Sequence, residues 1–159
     1  MIELIIARLI RYVSKVLGRG RRYKIYFSRK SRLMWYLIPK NASRTIRHHL
    51  QEEYHDFVFA GDIPIIRWLW RNYTKFAVLR PDEERYASTY RCSVLTWGNW
   101  TDKEYLDHLK MQDDPHVTPQ AMLYDPTFVD IVVDMKNLNT LFDLLNIKIG
   151  KLEHLNKSI

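Results

Sequence analysis

The stretch that decides the fold is residues 75–91, KFAVLRPDEERYASTYR, in which an apolar run leads directly into a charged segment. The run FAVL is continuous rather than alternating, which is typical of a strand that is buried on both faces. Pro81 and the acidic residues after it favour the first turn of a helix, where a missing N–H is tolerated and negative charge is stabilising. The stretch therefore predicts a strand over residues 75–80 and a helix that begins at Pro81.

Two earlier segments show the same order of strand and helix. Residues 34–38 are an apolar run before the loop IPKNA, and residues 43–53 have helical periodicity. Residues 57–61, FVFAG, predict another strand, and residues 63–71 another helix. Strands that alternate with helices are typical of a parallel sheet. We expect an α/β fold with three layers and a parallel central sheet.

The rest of the chain continues one domain. Its 159 residues, of which 47% are hydrophobic, suffice for a single sizeable core, and we assign residues 25–159 to one α/β domain. The later segments predict, in chain order, helices at 102–110 and 119–124, a strand at 128–134 and a helix at 138–146.

Residues 1–24 predict a separate basic amphipathic helix, ended by Gly18. Apolar residues recur there at helical spacing between basic ones. The helix either packs on its own domain or docks on a membrane surface or a partner. Because Glu3, Arg8 and Arg11 interrupt the apolar residues, we expect neither a signal peptide nor a spanning helix. The lone Cys92 excludes an internal disulfide and fits a reducing compartment. These features predict a cytoplasmic protein, with peripheral membrane contact left open.

The charge balance indicates an anionic partner without selecting one. The formal net charge is +7 and the sequence pI is about 9.5. Such a chain attracts nucleic acid, anionic lipid, phosphorylated nucleotides and acidic glycans alike.

The loop IPKNAS is the first candidate for a specific anion site. Ligands of open α/β sheets bind beyond the carboxyl ends of strands, where loops lead into helix N-termini. Backbone N–H groups of residues 42–45 and the helix dipole would favour an oxyanion, and Lys40 adds a full positive charge. Ser43 or Thr45 adds a hydroxyl. The loop lacks the GxxxxGK[ST] spacing of nucleotide triphosphatases. Taken alone, it is more typical of a surface turn than of an anion site.

A second anion-binding element follows the strand at residues 75–80. Arg80, at the strand's end, can pair with a phosphate through two N–H groups. Ser88 lies about two helical turns further on and can donate from the same face. Two such elements after two strands make the anion-site interpretation stronger than either does alone.

These motifs together resemble the sulfotransferases that use 3′-phosphoadenosine 5′-phosphosulfate (PAPS), in particular a compact type acting on carbohydrates. IPKNASRTI is similar to their 5′-phosphosulfate loop, and VLRPDEERYASTYR to their 3′-phosphate element. HVTPQ (residues 116–120) resembles a His-x-x-Pro-Gln motif of the substrate half. The later segments VDIVVDMKNLNTLFDLLNI and HLNKS resemble the C-terminal part of that family. The resemblance covers residues 34–158.

The resemblance implies sulfuryl transfer from PAPS to a hydroxyl of an acceptor, expected to be a carbohydrate, with no metal and no nucleic-acid partner. Lys40 would stabilise the leaving phosphate in the transition state. The residues implied to bind PAPS are Lys40, Asn41, Ala42, Ser43, Arg44, Thr45, Arg80 and Ser88.

The catalytic base is open between several residues. Members of the family carry Gly-His after the second strand, whereas this chain has Gly61-Asp62. Asp62 at the end of FVFAG would project into the crevice of Lys40 and Arg80. His116 and His55 are the other candidates for the base. We expect His48 and His49 to face solvent.

Two other function classes compete with a sulfotransferase. A non-catalytic basic module that binds nucleic acid or an anionic membrane would explain the charge and the N-terminal helix. It would leave the pairing of Lys40 with Arg80 and Ser88 as coincidence. A small-molecule kinase would use the Lys40 loop for ATP, but the sequence has no phosphate-loop signature and no evident acidic magnesium ligand after a strand.

Overall fold

The computed structural model describes residues 2–16, 21–65, 67–97, 101–111 and 114–147. Its helices are α1 (Ile2–Val16), α2 (Ser43–Glu53), α3 (Arg67–Trp70), α4 (Asp82–Trp97), α5 (Asp102–Met111) and α6 (Leu138–Leu144). Its strands are β1 (Arg22–Ser28), β2 (Leu33–Tyr36), β3 (Val58–Pro64), β4 (Thr74–Leu79) and β5 (Ile131–Asp134). Short 3₁₀ turns occupy Gln120–Met122 and Met135–Asn137. The predicted helix end at Gly18 and the HLNKS segment lie outside the described residues.

The strands form one mixed sheet in the order β3-β1-β2-β4-β5. β2 pairs in parallel with β4, and β4 pairs in parallel with β5. β1 is antiparallel to both of its neighbours, β2 and β3. The α/β class is therefore confirmed, whereas the prediction of a parallel sheet is wrong.

The strand that the sequence interpretation missed is β1. Its residues alternate between the two faces of the sheet: Ile25 belongs to one buried cluster and Tyr26 to the other. A turn over residues 29–32 joins β1 to β2 as a hairpin. Since β1 begins at Arg22, the domain boundary expected between residues 24 and 25 falls inside this strand.

A buried carboxylate holds the hairpin turn against the chain that enters β3. The Ser28 hydroxyl donates to Asp56 Oδ1 at 2.7 Å, and the Lys30 backbone N–H donates to Oδ2 at 2.9 Å. Burial alone would raise the pKa of Asp56. The hydrogen bonds from Ser28 and from the N–H groups of Lys30 and Arg29 outweigh it and lower that pKa.

Most other predicted elements are present, with shifted ends. The helix at residues 43–53 is confirmed without change as α2. β3 continues through Pro64, so the helix expected at 63–71 is reduced to the four residues of α3. The helix expected at 119–124 is only a 3₁₀ turn. These differences matter because they change where Asp62 and Gln120 lie.

Two buried clusters pack on the opposite faces of the sheet. One joins Trp35 and Phe76 to side chains from α2 and α6, among them Leu50 and Phe142. The other joins Tyr36 and Ala77 to Trp70 of α3, with segments around residues 123–129 beside it. The loops that follow β2 and β4 are therefore anchored by strands that are covered on both faces.

α1 packs along the edge strand β3. Gly61 in β3 has a φ of 112°, a conformation that favours glycine. A Cβ at this position would lie 2.8 Å from Nε of Arg11, so glycine also permits the close approach of α1. Across the described ranges, no helix is both long enough and apolar enough to cross a membrane.

Candidate functional site

The loop between β2 and α2 is held in an unusual backbone conformation. Lys40 has a φ of 67° and Ala42 a φ of 55°, both in the left-handed region although neither is glycine. Each such residue costs roughly 1–3 kcal/mol and persists only where the surroundings enforce it. Ala42 is the N-cap of α2 and has no side-chain oxygen, and the first turn of α2 contains no acidic residue. The N-terminus of α2 therefore has an uncompensated positive end of its dipole.

Hydrogen bonds of the Asn41 side chain hold the loop in this conformation. Its side chain is buried, and Nδ2 donates to the Val78 carbonyl oxygen at 2.8 Å and to Gln120 Oε1 at 2.5 Å. Val78 lies in β4, so this amide ties the loop after β2 to the neighbouring strand. The Nδ2 group of Asn41 is therefore engaged by the protein, whereas its buried Oδ1 has no hydrogen-bond partner among the described residues.

Gln120 is the residue that joins the two predicted anion-binding elements. Besides accepting from Asn41, its Oε1 accepts from the Arg80 backbone N–H at 3.0 Å. Its Nε2 donates to the Arg80 carbonyl oxygen and to Asp82 Oδ1, the latter at 2.9 Å. A single buried amide thus fixes the Lys40 loop, the end of β4 and the start of α4 relative to one another.

Arg80 lies directly beside the Lys40 loop. Its Nη1 donates to the Lys40 carbonyl oxygen at 3.4 Å, and its Nε is 3.3 Å from Glu84 Oε2. Only 16% of the Arg80 side chain is exposed. Glu84 also pairs with Lys136 at 3.1 Å. Hydrogen bonding from Lys136, and then from Arg80, lowers the pKa of Glu84.

The remaining residues of the predicted anion site surround this contact. Nζ of Lys40 makes no hydrogen bond or ion pair with any residue that the structure describes. Ser88 is partly buried on α4, one turn after Glu84, and so faces the same side of that helix. In the first turn of α2, Ser43 is partly buried, Arg44 exposed and Thr45 buried. The site has two cationic side chains, Lys40 and Arg80, at the carboxyl ends of adjacent parallel strands.

Arg85 holds the segment that carries His116. Its guanidinium is fully buried and donates to the carbonyl oxygens of Pro115, His116 and Thr118, the first two at 3.2 and 3.0 Å. It also pairs with Asp82 at 3.4 Å. Because Asp82 bonds to Gln120 as well, the segment and the Arg80 turn form one connected network.

His116 has a carboxylate partner within this segment. Its Nδ1 is 2.6 Å from Asp114 Oδ1, and the imidazole is 41% exposed. The same carboxylate oxygen accepts from the His116 backbone N–H at 2.7 Å. Asp114 therefore orients the ring and leaves Nε2 directed away from it, an arrangement that suits a general base.

Asp62 lies within β3 rather than after its end. FVFAG is not the end of the strand, since β3 continues to Pro64, and Asp62 pairs with Lys24 of β1 at 3.6 Å. It lines a cleft with Arg11, Lys15 and Arg22. Two strand spacings, about 10 Å, separate β3 from β2, which leads into the Lys40 loop.

Three further histidines belong to α2 or follow it. His55 follows the C-terminus of α2, about 16 Å along that helix from its first residue. His48 is partly exposed and pairs with Glu52 at 3.3 Å. His49 is 8% exposed and packs edge-on against Phe142, so the expectation that it faces solvent is wrong.

Sequence reasoning missed the residues that organise the site rather than those that would touch a ligand. Gln120 is visible in the sequence only as the last residue of HVTPQ, whereas the sequence does suggest Arg85 as a support for the loop after β4. Asp114 stands two residues before His116, and this spacing alone does not indicate that the two side chains interact.

A metal site is not evident in the parts of the chain that the structure describes, which contain no cluster of three or more His, Cys, Asp or Glu side chains suited to one.

Comparisons with protein-family models, with curated proteins and with solved structures find no match to this chain.

Proposed function

We propose that the protein is a PAPS-dependent sulfotransferase that transfers a sulfuryl group to a hydroxyl of an acceptor. The observation that carries this proposal is the contact between Arg80 and the Lys40 loop, reinforced by Gln120. Two elements that resemble the 5′-phosphosulfate and 3′-phosphate sites of one nucleotide lie side by side. A chance resemblance of two short motifs would not require them to be adjacent.

The 5′-phosphosulfate would bind at the start of α2. We propose that β2, the Lys40 loop and α2 act as a P-loop-like unit within a three-layer arrangement. Helices on both faces of the sheet support this view. The backbone N–H groups at Ala42 and Ser43, the dipole of α2 and the ammonium of Lys40 would converge on the phosphate oxygens.

The 3′-phosphate would bind between Arg80 and Ser88. Arg80 is already oriented by Glu84, and its partly buried guanidinium interacts more strongly with an anion than an exposed one would. Glu84 is itself paired with Lys136, which offsets its repulsion of a phosphate. Arg44 would contribute a further positive charge from the first turn of α2.

We propose His116 as the base, because its imidazole is partly exposed and paired with a carboxylate. Sulfuryl transfer breaks the S–O bond to the phosphate, forms a bond from sulfur to the acceptor oxygen, and releases 3′,5′-ADP. The acceptor's proton must pass to a base within hydrogen-bond reach. The pair of His116 with Asp114 stands four residues before Gln120, which contacts Arg80. Asp62, by contrast, pairs with Lys24 at 3.6 Å and lies in β3, two strands from β2.

The acceptor is proposed as a carbohydrate or another hydroxyl compound, on the strength of the resemblance alone. A non-catalytic basic module would not need Lys40 and Arg80 to be fixed by buried amides. A thermal-shift comparison of 3′,5′-ADP, ATP and an oligonucleotide distinguishes the three function classes, because a ligand stabilises only the protein that binds it. A selective rise in Tm with 3′,5′-ADP supports the sulfotransferase. A rise with ATP or with the oligonucleotide alone contradicts it.

A further inference from the structure

The outward face of α1 is apolar, whereas a surface helix normally exposes its polar side. Ile5, Leu9, Tyr12 and Val16 are each between 58% and 70% exposed. Their spacing of four, three and four residues places them along one side of the helix. We name these four residues the α1 stripe. A stripe of this kind, held on the protein by the packing of α1 against β3, needs a covering surface.

Basic residues border the stripe. Arg8, Arg11 and Lys15 are exposed on α1, displaced from the stripe by about one position. Arg11 and Lys15 also line a cleft of about 390 Å³ with Arg22, which is exposed at the start of β1. We name this feature the basic cleft.

The other lining residues of the basic cleft do not balance the charges of Arg11, Lys15 and Arg22. Among the described lining residues Asp62 is the one acidic side chain, and it pairs with Lys24 at 3.6 Å. Phe59 and Gly61 also line the cleft. The positive φ of Gly61 and the absence of a side chain there let the Arg11 guanidinium lie against β3. Three cationic side chains are therefore held together beside an apolar stripe.

We propose that α1 docks the protein on an anionic lipid bilayer. The α1 stripe enters the boundary between headgroups and acyl chains, and Arg11, Lys15 and Arg22 bind lipid phosphates at the basic cleft. An apolar face bordered by basic residues is the pattern of a helix that lies in the membrane interface. Charge favours lipid over a second copy of the chain, because two copies would bring two sets of these cations, each on a chain of net charge +7, close together.

The experiment is co-sedimentation of the full chain with vesicles of phosphatidylcholine alone and with vesicles that also contain phosphatidylserine. The protein should bind the anionic vesicles and scarcely bind the neutral ones, and high salt should weaken binding because it screens the headgroup charge. Equal binding to both vesicles, or no binding to either, would overturn the proposal. This arm needs no variant.

Two sets of variants measure separately how the cations and the α1 stripe contribute to vesicle binding. Replacing Arg11, Lys15 and Arg22 together by Gln should reduce partition onto anionic vesicles on the order of 100-fold, since each cation near such a surface contributes about 1 kcal/mol. Replacing Leu9 and Val16 by Ser should reduce it about tenfold or more. Circular dichroism verifies that each variant keeps its fold.

Matched controls remove the same groups elsewhere. Changing Arg47, Lys103 and Lys110 to Gln removes three exposed charges, and changing Trp68 and Leu144 to Ser removes two exposed apolar side chains. Neither control should alter partition more than about twofold, within the variation of neutral surface changes. Equal losses in the controls would show binding without a specific surface. Dimerisation in sedimentation velocity that the Leu9 and Val16 changes abolish would assign the stripe to a second copy and contradict the proposal.

Discussion

The guanidinium of Arg80 donates to the carbonyl oxygen of Lys40 across 3.4 Å, which joins two loops that are 40 residues apart in the chain. Lys40 makes this contact from a backbone conformation with a positive φ. Nζ of Lys40 makes no hydrogen bond or ion pair with any residue that the structure describes, and we propose that this ammonium binds an anion. This relationship underlies the account of the site.

Gln120 should be essential for this arrangement. Gln120→Leu removes one of the two acceptors of the Asn41 amide, which keeps the Val78 carbonyl oxygen, and it removes the Gln120 partners of the Arg80 backbone N–H and carbonyl oxygen. An unsatisfied buried polar group costs about 1–3 kcal/mol. Urea unfolding should therefore show a loss of stability in that range or above it. Gln51→Ala is the matched control, because its amide makes one 3.4 Å bond from an exposed position. Equal losses in both variants would mean that Gln120 has no special role.

The lowered pKa of Asp56 predicts that part of the free energy of unfolding depends on pH in the acid range. Its pKa is lower in the folded protein than the ordinary 3.8, so the unfolded chain binds the proton more tightly. The stabilisation is present above about pH 4 and is lost as the pH falls through the folded-state pKa. Asp56→Asn should cost about 1.5–3 kcal/mol at pH 7, and the difference from the unmodified protein should shrink below pH 4.

Denaturant unfolding at several pH values measures that difference. Asp107→Asn, an exposed change on α5, is the control and should have an effect within about 0.5 kcal/mol at every pH. A cost of Asp56→Asn that stays constant down to pH 2 would show that the carboxylate charge is not responsible.

The sequence could predict the Lys40 loop and the Arg80 turn because both depend on local patterns. An apolar run, a proline and a helical period lie within about fifteen residues of each other in both cases. β1 was missed because its first residues, among them Arg22 and Lys24, were assigned to the basic N-terminal segment of residues 1–24. Without β1, FVFAG could not be placed at the sheet edge, and Lys24 could not be recognised as the partner of Asp62.

The bonds of Gln120 lay beyond sequence reasoning for a different reason. Its amide meets Asn41 across 79 residues and Arg80 across 40, contacts that only the folded sheet creates. Neither residue type indicates by itself which distant group it will bond. The buried position of His49 is similar, since it depends on the packing of α6 against α2.

The proposal that His116 is the base predicts a larger loss of turnover in His116→Ala than in Asp62→Asn. His116→Ala should lower the turnover of sulfuryl transfer roughly 10²–10⁴-fold while the affinity for 3′,5′-ADP is retained. Asp62→Asn should remain close to the unmodified protein. Transfer from radiolabelled PAPS to a panel of carbohydrates measures both.

Added imidazole provides a readout that a structural role of His116 would not give. It should restore part of the activity of His116→Ala, because a small base can occupy the space left by the ring. Collapse of activity in Asp62→Asn, with full activity in His116→Ala, would move the base to Asp62.

Lys40 should matter for turnover more than for product binding. The negative charge on the leaving phosphate is greatest as the S–O bond breaks, so Lys40→Ala should lower kcat on the order of 10²-fold or more. The Kd of 3′,5′-ADP should rise much less. Lys30→Ala, an exposed lysine in the β1–β2 turn, is the control. Unchanged kcat in Lys40→Ala would remove Lys40 from the mechanism.

The central claim is that the Lys40 loop and the Arg80 turn bind the two ends of one 3′-phosphorylated nucleotide. Isothermal titration calorimetry of 3′,5′-ADP and of ADP, which lacks the 3′-phosphate, tests it directly. The unmodified protein should prefer 3′,5′-ADP. Arg80→Ala should remove about 1.5–3 kcal/mol of that preference, and Ser88→Ala a smaller part, with little change for ADP. Equal affinity of the unmodified protein for both nucleotides, or equal weakening of both by Arg80→Ala, would contradict the account.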